Sequence, residues 1–238
     1  EVVVVNTCCV REKAEQKFYS LMGRLERAKK RRRLILGVTG CIAQLEKDEI
    51  LKRLPFVDFS LGPSGIHRIA EAVKEAKTHH RTIDVSEEGC PQFLNAGTAV
   101  SASGGVKAFV TIMKGCDNFC SYCIVPYVRG REMSRPSADV LKEVAVHAAG
   151  GVKEVTLLGQ NVNSYNNGSD DLSFPQLLDA VNGVEGIERI RFVTSHPKDL
   201  SGELIERFGS LPKLCEQIHL PFQAGSDRVL ALMNRRYT

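Results

Sequence analysis

The sequence predicts an α/β protein in which an N-terminal parallel-sheet α/β domain is followed by a partial, truncated β/α barrel. Three observations lead there. Apolar runs of strand length alternate with stretches of helical periodicity in both halves of the chain, a pattern that implies parallel strands covered by helices. Between about Thr78 and Gly105 the periodicity lapses and Thr, Ser, Gly, Asn and Pro accumulate, as in a linker. Finally, the stretch from 105 to 238 falls short of the roughly 200 residues that a closed eight-stranded β/α barrel needs at its lower limit. The expected organisation is a first domain over 1–78, a linker over 79–104 and a barrel segment over 105–238.

In the first domain, Val2 to Val5 reads as a buried strand and Arg11 to Lys30 as a helix. Leu34 to Val38 is a second strand, Gln44 to Leu54 a helix stopped by Pro55, Val57 to Leu61 a third strand, and Pro63 to Ala76 a third helix. Beyond the linker come strand Lys107 to Met113, a loop bearing Gly and Cys, helix Pro136 to Ala149 and strand Glu154 to Leu158. A helix opens at Ser173, where S-x-x-Q with Gln176 makes a capping box. Strand Glu188 to Thr194, a helix around Leu200 to Phe208, strand Glu216 to Leu220 and a last helix capped by Ser226 complete four β/α repeats.

Composition narrows the class. Of 238 residues, 43% are hydrophobic and 25% charged, which excludes disorder over most of the length. Every apolar run falls far short of the ~20 residues that span a bilayer, and the start is no signal peptide. A cytoplasmic protein without a membrane partner is expected. Because the chain opens at Glu1 directly on a strand and stops at Arg235-Arg236-Tyr237-Thr238 just past a helix, it is expected to be cut at both ends. The net charge of +4, from 32 basic and 28 acidic residues, permits an anionic partner without demanding one. Eight cysteines without a secretory signal point to metal or redox chemistry rather than disulfides.

Cys116, Cys120 and Cys123 form C-x3-C-x2-C in the loop after the first strand of the second domain. A structural zinc takes four closed ligands, and the next His or Cys downstream, His147, lies inside a helix. Three thiolates leave one metal position open, which on a 4Fe-4S cluster is an iron free to bind a reactant. The motif, placed at the end of a first β-strand ahead of β/α repeats, resembles that of the radical S-adenosylmethionine (SAM) superfamily. The resemblance implies that the open iron binds SAM and that an electron from a reductant such as flavodoxin or ferredoxin yields a 5'-deoxyadenosyl radical. Catalytic groups of β/α units sit at strand C-termini, where Gly159, Gln160 and Asn161, then Ser195, and then Gln223 are candidates for holding SAM, with Tyr122 packing beside the adenine. The bland reading of these residues is turn and cap.

The first domain carries Asn6-Thr7-Cys8-Cys9-Val10-Arg11 after one strand and Thr39-Gly40-Cys41 after the next. These segments resemble the N-terminal domain of the methylthiotransferase family. The resemblance implies that Cys8 and Cys41 ligate an auxiliary 4Fe-4S cluster, making two clusters in all. The family's third ligand lies in a G-C-Q-x-N segment absent here; it either precedes Glu1 or is replaced by Cys9. Val125-Pro126-Tyr127, Arg129-Gly130-Arg131-Glu132, Leu157 to Asn163 and Thr194-Ser195-His196-Pro197 are similar to the MiaB type, which adds a methylthio group to carbon 2 of N6-isopentenyladenosine in tRNA and uses two SAM molecules per turnover. Types acting on ribosomal protein or on threonylcarbamoyl-adenosine are the neighbouring possibilities, and a non-catalytic metal-dependent RNA-binding module is the alternative of another class. The family normally adds further barrel strands and an RNA-gripping TRAM domain, neither of which is in this sequence.

Arg129, Arg131 and Arg135, close to the cysteine loop, are candidates for contacting substrate. Lys29-Lys30-Arg31-Arg32-Arg33 suits either tRNA phosphates or a solvated helix end. Cys90 and Cys215 read as bystanders, the latter in a buried strand, and His79-His80 as solvated.

Overall fold

The computed structural model describes residues 1–9, 12–78, 80–86 and 105–238. The expectations for Cys90, for His79 and for most of the linker lie outside the described residues. The chain divides into two compact units, the first taking in the N-terminal residues together with Tyr127–Gly130, the second the barrel segment.

In the first unit β1 (Val2–Thr7) and β2 (Ile35–Gly40) pair along their whole length and flank α1 (Glu12–Lys29) in sequence. Chain order continues with α2 (Cys41–Glu46), α3 (Glu49–Arg53), β3 (Phe59–Leu61), α4 (Ile69–Lys77) and β4 (Thr82–Asp84). The four strands form one parallel sheet in the order β1-β2-β3-β4. Side chains alternate across it: Leu36 and Val38 pack with Phe18 and Met22 of α1, while Phe59 and Leu61 pack with Ala72 and Ala76 of α4. Gly37 has to be glycine because the Phe59 ring lies against it, 2.1 Å from where a Cβ would stand.

Two sequence expectations change here. The helix expected over 44–54 starts earlier, at Cys41, and is broken in two, because Lys47 takes a left-handed φ of 50°. The stretch beginning the expected linker supplies β4, held to β3 in parallel register.

The second unit carries β5 (Lys107–Thr111), β6 (Met113–Lys114), α5 (Val125–Arg129), β7 (Met133–Ser134), α6 (Ser137–Ala149), β8 (Glu154–Leu158), α7 (Phe174–Asn182), β9 (Arg189–Phe192), α8 (Gly202–Ser210) and α9 (Asp227–Leu232), α5 running into the Tyr127–Gly130 stretch that clusters with the first unit. Strands β5, β8 and β9 make a parallel sheet. Val110, Val155, Leu157 and Ile190 pack against Val140 and Val144 of α6 and Leu177, Leu178 and Val181 of α7 in one apolar cluster. Each such side chain contributes roughly 1.5–3 kcal/mol on full burial. The expected capping box is present, Ser173 N–H donating to Gln176 Oε1 at 2.9 Å.

The fourth strand, expected over 216–220, does not form. The chain meets β9 earlier, in a parallel bridge between Ile190 and Leu214, and then turns as Gln217 N–H donates to the Cys215 carbonyl at 2.7 Å. Cys215 is therefore half-buried beside a turn rather than inside a strand. Ser226 does occupy the N-cap of α9, but its side chain makes no capping bond.

Candidate active site

The cysteine loop of the second unit is closed at its base. Strands β6 and β7 pair antiparallel, Met113 with Ser134 and Lys114 with Met133, so residues 115 to 132 project from a two-stranded ribbon. Gly115, at φ 75°, starts the loop and donates its N–H to Gln160 Oε1 at 2.6 Å. Gln160 thus steadies the loop rather than offering its carboxamide oxygen to a ligand.

Cys116 and Cys120 are buried and Cys123 is half-buried. Asn118 Nδ2 lies 3.5 Å from Cys116 Sγ, and Arg235 Nη1 lies 3.4 Å from Cys120 Sγ. Burial pushes the Cys116 thiol up, while the Asn118 backbone N–H lowers it and the Glu132 carboxyl raises it. Glu132 is itself held above the usual carboxylate range by burial, although it accepts the Ser164 hydroxyl at 2.6 Å. Among the described residues no set of three or more His, Cys, Asp or Glu is gathered tightly enough to hold a metal as it stands. What the loop provides is three sulfur donors in one short segment, two of them already receiving N–H groups, which is the donor chemistry an iron-sulfur cluster takes.

Beside the loop, at the C-terminal ends of β8 and β9, three buried polar atoms lack partners: Asn161 Oδ1, Ser195 Oγ and His196 Nε2. Buried polar atoms are almost always hydrogen-bonded, so a group of orphans on adjoining strand ends fits a polar ligand. Asn161 is oriented by donating Nδ2–H to Asp199 at 2.7 Å. The Asn163 carboxamide bonds both the N–H and the carbonyl of His196, at 2.8 and 2.9 Å. His196 Nδ1 accepts the Lys198 N–H at 3.1 Å, so the ring proton resides on Nε2. Burial, and then the neighbouring Arg235 charge, push the His196 pKa down to about 4. The site thus offers a neutral N–H donor, a carboxamide acceptor and a hydroxyl. Such a set suits a ligand that carries both hydrogen-bond donors and acceptors.

The remaining candidates divide. Gly159 is packed so closely that a Cβ would stand 2.4 Å from Met113, and its carbonyl accepts the Thr194 hydroxyl at 2.6 Å. Tyr122 is half exposed at the loop rim, its hydroxyl 3.4 Å from Arg235. Gln223 is exposed, at a left-handed φ of 68°. Arg131 is 77% exposed, pairing with Asp117 at 3.0 Å. Arg135 corrects its expectation: it is buried, paired with Glu143 and bonded to the Thr111 and Asp139 carbonyls, both at 3.3 Å, so its guanidinium is occupied inside the fold and is closed to substrate.

In the first unit Cys8 is exposed, Cys9 half-buried and Cys41 buried. Gly40, at φ 96°, turns β2 directly into α2 and makes Cys41 the first helical residue; a Cβ there would stand 2.4 Å from the Thr7 carbonyl. Burial, then the proximity of Cys41 and Cys8, push the Cys9 thiol up to about 11. Arg129, expected at substrate, donates Nε–H to Cys41 Sγ at 3.2 Å within this unit. Of the basic run, Lys29 pairs with Asp58, Lys30 with Glu26 at 2.8 Å and Arg32 with Glu1 at 3.0 Å. These pairs agree with a solvated helix end.

His196 stands in the strand-end group that the sequence points to, whereas Arg235 joins the site only through tertiary contacts. No spacing in the sequence marks Arg235 as the cation that meets a cysteine 115 residues upstream.

The fold and the cysteine loop define a class: residues 110–238 match the Radical SAM superfamily, and the chain belongs to it. Residues 1–62 match the uncharacterized protein family UPF0004. Among curated proteins, the chain is 53% identical over its whole length to the tRNA-2-methylthio-N(6)-dimethylallyladenosine synthase of Geobacter metallireducens, covering 54% of that protein. It is 52% and 48% identical to the proteins of the same name in Geobacter sulfurreducens and Thermodesulfovibrio yellowstonii, again over the whole chain and 54% of each relative. The chain thus spans about half the length of the curated relatives it matches. Two solved structures share the fold at low identity. The radical S-adenosylmethionine methyltransferase TsrM of Kitasatospora setae, with tryptophan substrate and a SAM analog bound, has a TM-score of 0.66 at 15% identity and covers 96% of this chain and 49% of its own. The cobalamin-dependent S-adenosylmethionine radical enzyme OxsB has a TM-score of 0.63 at 13% identity and covers 100% of this chain and 38% of its own. Among the described residues no helix is long and apolar enough to cross a membrane.

Proposed function

We propose that the whole protein is a cytoplasmic tRNA methylthiotransferase that adds a methylthio group to carbon 2 of N6-isopentenyladenosine beside the anticodon. The observation that carries this reading is the 53% identity, over the whole length of the chain, to a synthase named for that product. Cys116, Cys120 and Cys123 hold the radical cluster, and Cys8 and Cys41, at the ends of two neighbouring parallel strands, contribute to an auxiliary one. With SAM bound and a reductant such as flavodoxin or ferredoxin, the radical cluster supplies a 5'-deoxyadenosyl radical.

The chain's own residues position and shield. The β6–β7 ribbon and Gln160 fix the loop that presents the three sulfurs. Asn161, Ser195 and His196 hold SAM through atoms that have no other partner, and His196 serves as a neutral donor because Lys198 N–H occupies its other nitrogen. Tyr122, half exposed at the rim, packs against the adenine. Arg131 faces solvent beside the loop, where a guanidinium meets RNA phosphate.

The test is anaerobic. The full-length protein, reconstituted with iron and sulfide, is given SAM, reductant and an anticodon stem-loop carrying isopentenyladenosine, and nucleosides are read by mass spectrometry. A methylthio product is expected. If 5'-deoxyadenosine accumulates and the RNA is unchanged, tRNA is the wrong substrate.

A further inference from the structure

The segment following α9 is fastened to the cysteine loop at several points. Ser121 N–H donates to the Met233 carbonyl at 3.1 Å and the Ser121 hydroxyl to the Leu232 carbonyl at 3.0 Å. Asn234 Nδ2 reaches the Phe119 carbonyl at 2.8 Å. Asn234 and Arg236 both take left-handed φ values, 54° and 56°, so the backbone kinks on either side of Arg235 and the side chain turns inward.

Arg235 is 5% exposed. Its guanidinium donates to the Pro221 carbonyl at 2.7 Å, to the Tyr237 hydroxyl at 3.3 Å, to the Tyr122 hydroxyl at 3.4 Å and to Cys120 Sγ at 3.4 Å. Among the described residues no carboxylate lies within ion-pair distance of it. A buried guanidinium cannot shed its proton and is costly to bury without a counter-charge. Of its four partners, two are phenols and one is a backbone carbonyl; the sulfur of Cys120 is the one that carries a full negative charge once it ligates metal.

We propose that Arg235 is a positioning residue of the radical cluster: its buried guanidinium, donating to the Cys120 sulfur, fixes the middle ligand of the loop and raises the reduction potential of the cluster bound there. The inference rests on the cluster reading of the loop given above. A fixed cation beside a metal-sulfur centre stabilises the state with one more electron, and hydrogen bonds to the ligating sulfurs act in the same direction. Asn118 gives Cys116 a neutral counterpart of the same bond at 3.5 Å. The loop is thus asymmetric, with the charge on the middle sulfur.

Two measurements on the full-length, anaerobically reconstituted protein test this. In the first, arginine is supplied isotopically labelled in its nitrogens and the reduced radical cluster is examined by pulsed electron paramagnetic resonance without SAM in a Cys41→Ala protein, so that Arg129 beside Cys41 contributes no coupling. A weak hyperfine coupling to labelled nitrogen is expected. In the second, the midpoint potential of the cluster is determined for the native protein and for Arg235→Gln and Arg235→Lys. The Gln variant is expected to shift to more negative potential and the Lys variant to fall between it and the native protein. An intact cluster with no labelled-nitrogen coupling overturns the inference, as does an unshifted potential in a fully loaded Gln variant. If the Gln variant does not fold, the coupling in the Cys41→Ala protein, which keeps Arg235, decides alone. Absence of any iron-sulfur cluster in the native protein would overturn the reading on which the inference rests, and is told apart by its iron content.

Discussion

The two cysteine regions bring sulfurs together in different ways. In the second unit three cysteines fall within one loop, closed by a β-ribbon and supplied with N–H donors from Asn118 and Arg235. In the first unit the cysteines come from the ends of two neighbouring strands, and Cys9 is set chiefly by burial and by other thiols. One region is organised to receive an anionic centre. The other depends on the sheet for convergence, with a single N–H from Arg129 on Cys41.

The largest test separates the regions by function. In the full-length protein, Cys120→Ala is expected to abolish 5'-deoxyadenosine formation and to lower bound iron by about half, four irons of eight if both sites hold 4Fe-4S clusters. Cys41→Ala should lower iron similarly yet leave 5'-deoxyadenosine formation while removing methylthio product. Iron assay and nucleoside analysis read both, and equal loss of 5'-deoxyadenosine in the two variants would erase the distinction.

Next in size is the support beneath the loop. Arg135→Ala removes the buried ion-pair partner of Glu143, and should cost about 3–5 kcal/mol in denaturant unfolding. Arg131→Ala at the loop rim should cost no more than about 1 kcal/mol. Comparable losses would mean that the rim pair is structural.

His196 gives the second region a pH signature. Its pKa is depressed from 6.5 to about 4 in the fold, so between those values the unfolded chain binds the extra proton. Stability from the neutral ring is full above pH 6.5 and is lost as pH falls toward 4, by about 3 kcal/mol. His196→Gln should flatten that part of the stability profile, and an imidazole that titrates near pH 6.5 by nuclear magnetic resonance would contradict the neutral donor.

The smallest test concerns helix ends in the second unit. Ser201 caps α8 by accepting the Leu204 N–H at 3.1 Å, so Ser201→Ala should cost about 1 kcal/mol. Ser226, which makes no such bond, should cost less than about 0.5 kcal/mol on the same change.

The comparison also explains what could be read from the sequence. The cysteine loop was legible because its donors are local, and so was the Ser173–Gln176 box. The parallel sheets were legible because apolar runs mark buried strands. The break at Lys47 was not, since a left-handed φ at a lysine leaves no compositional trace. Nor was the missing fourth strand, where apolar character at 216–220 gave way to a turn beyond the Leu214 bridge. Arg135, Arg129 and Arg235 carry the same charge and look equivalent in sequence; only tertiary contacts send one to Glu143, one to Cys41 and one to Cys120.

The distance along the chain between Cys120 and Arg235 has a consequence for biosynthesis. The guanidinium lies 115 residues downstream of the sulfur it meets. At about 5–20 residues per second, the cysteine loop is synthesised roughly 6–23 seconds before its cation. A cluster delivered during that interval sits in a loop that lacks its counter-charge, whereas one delivered after release meets a finished cradle.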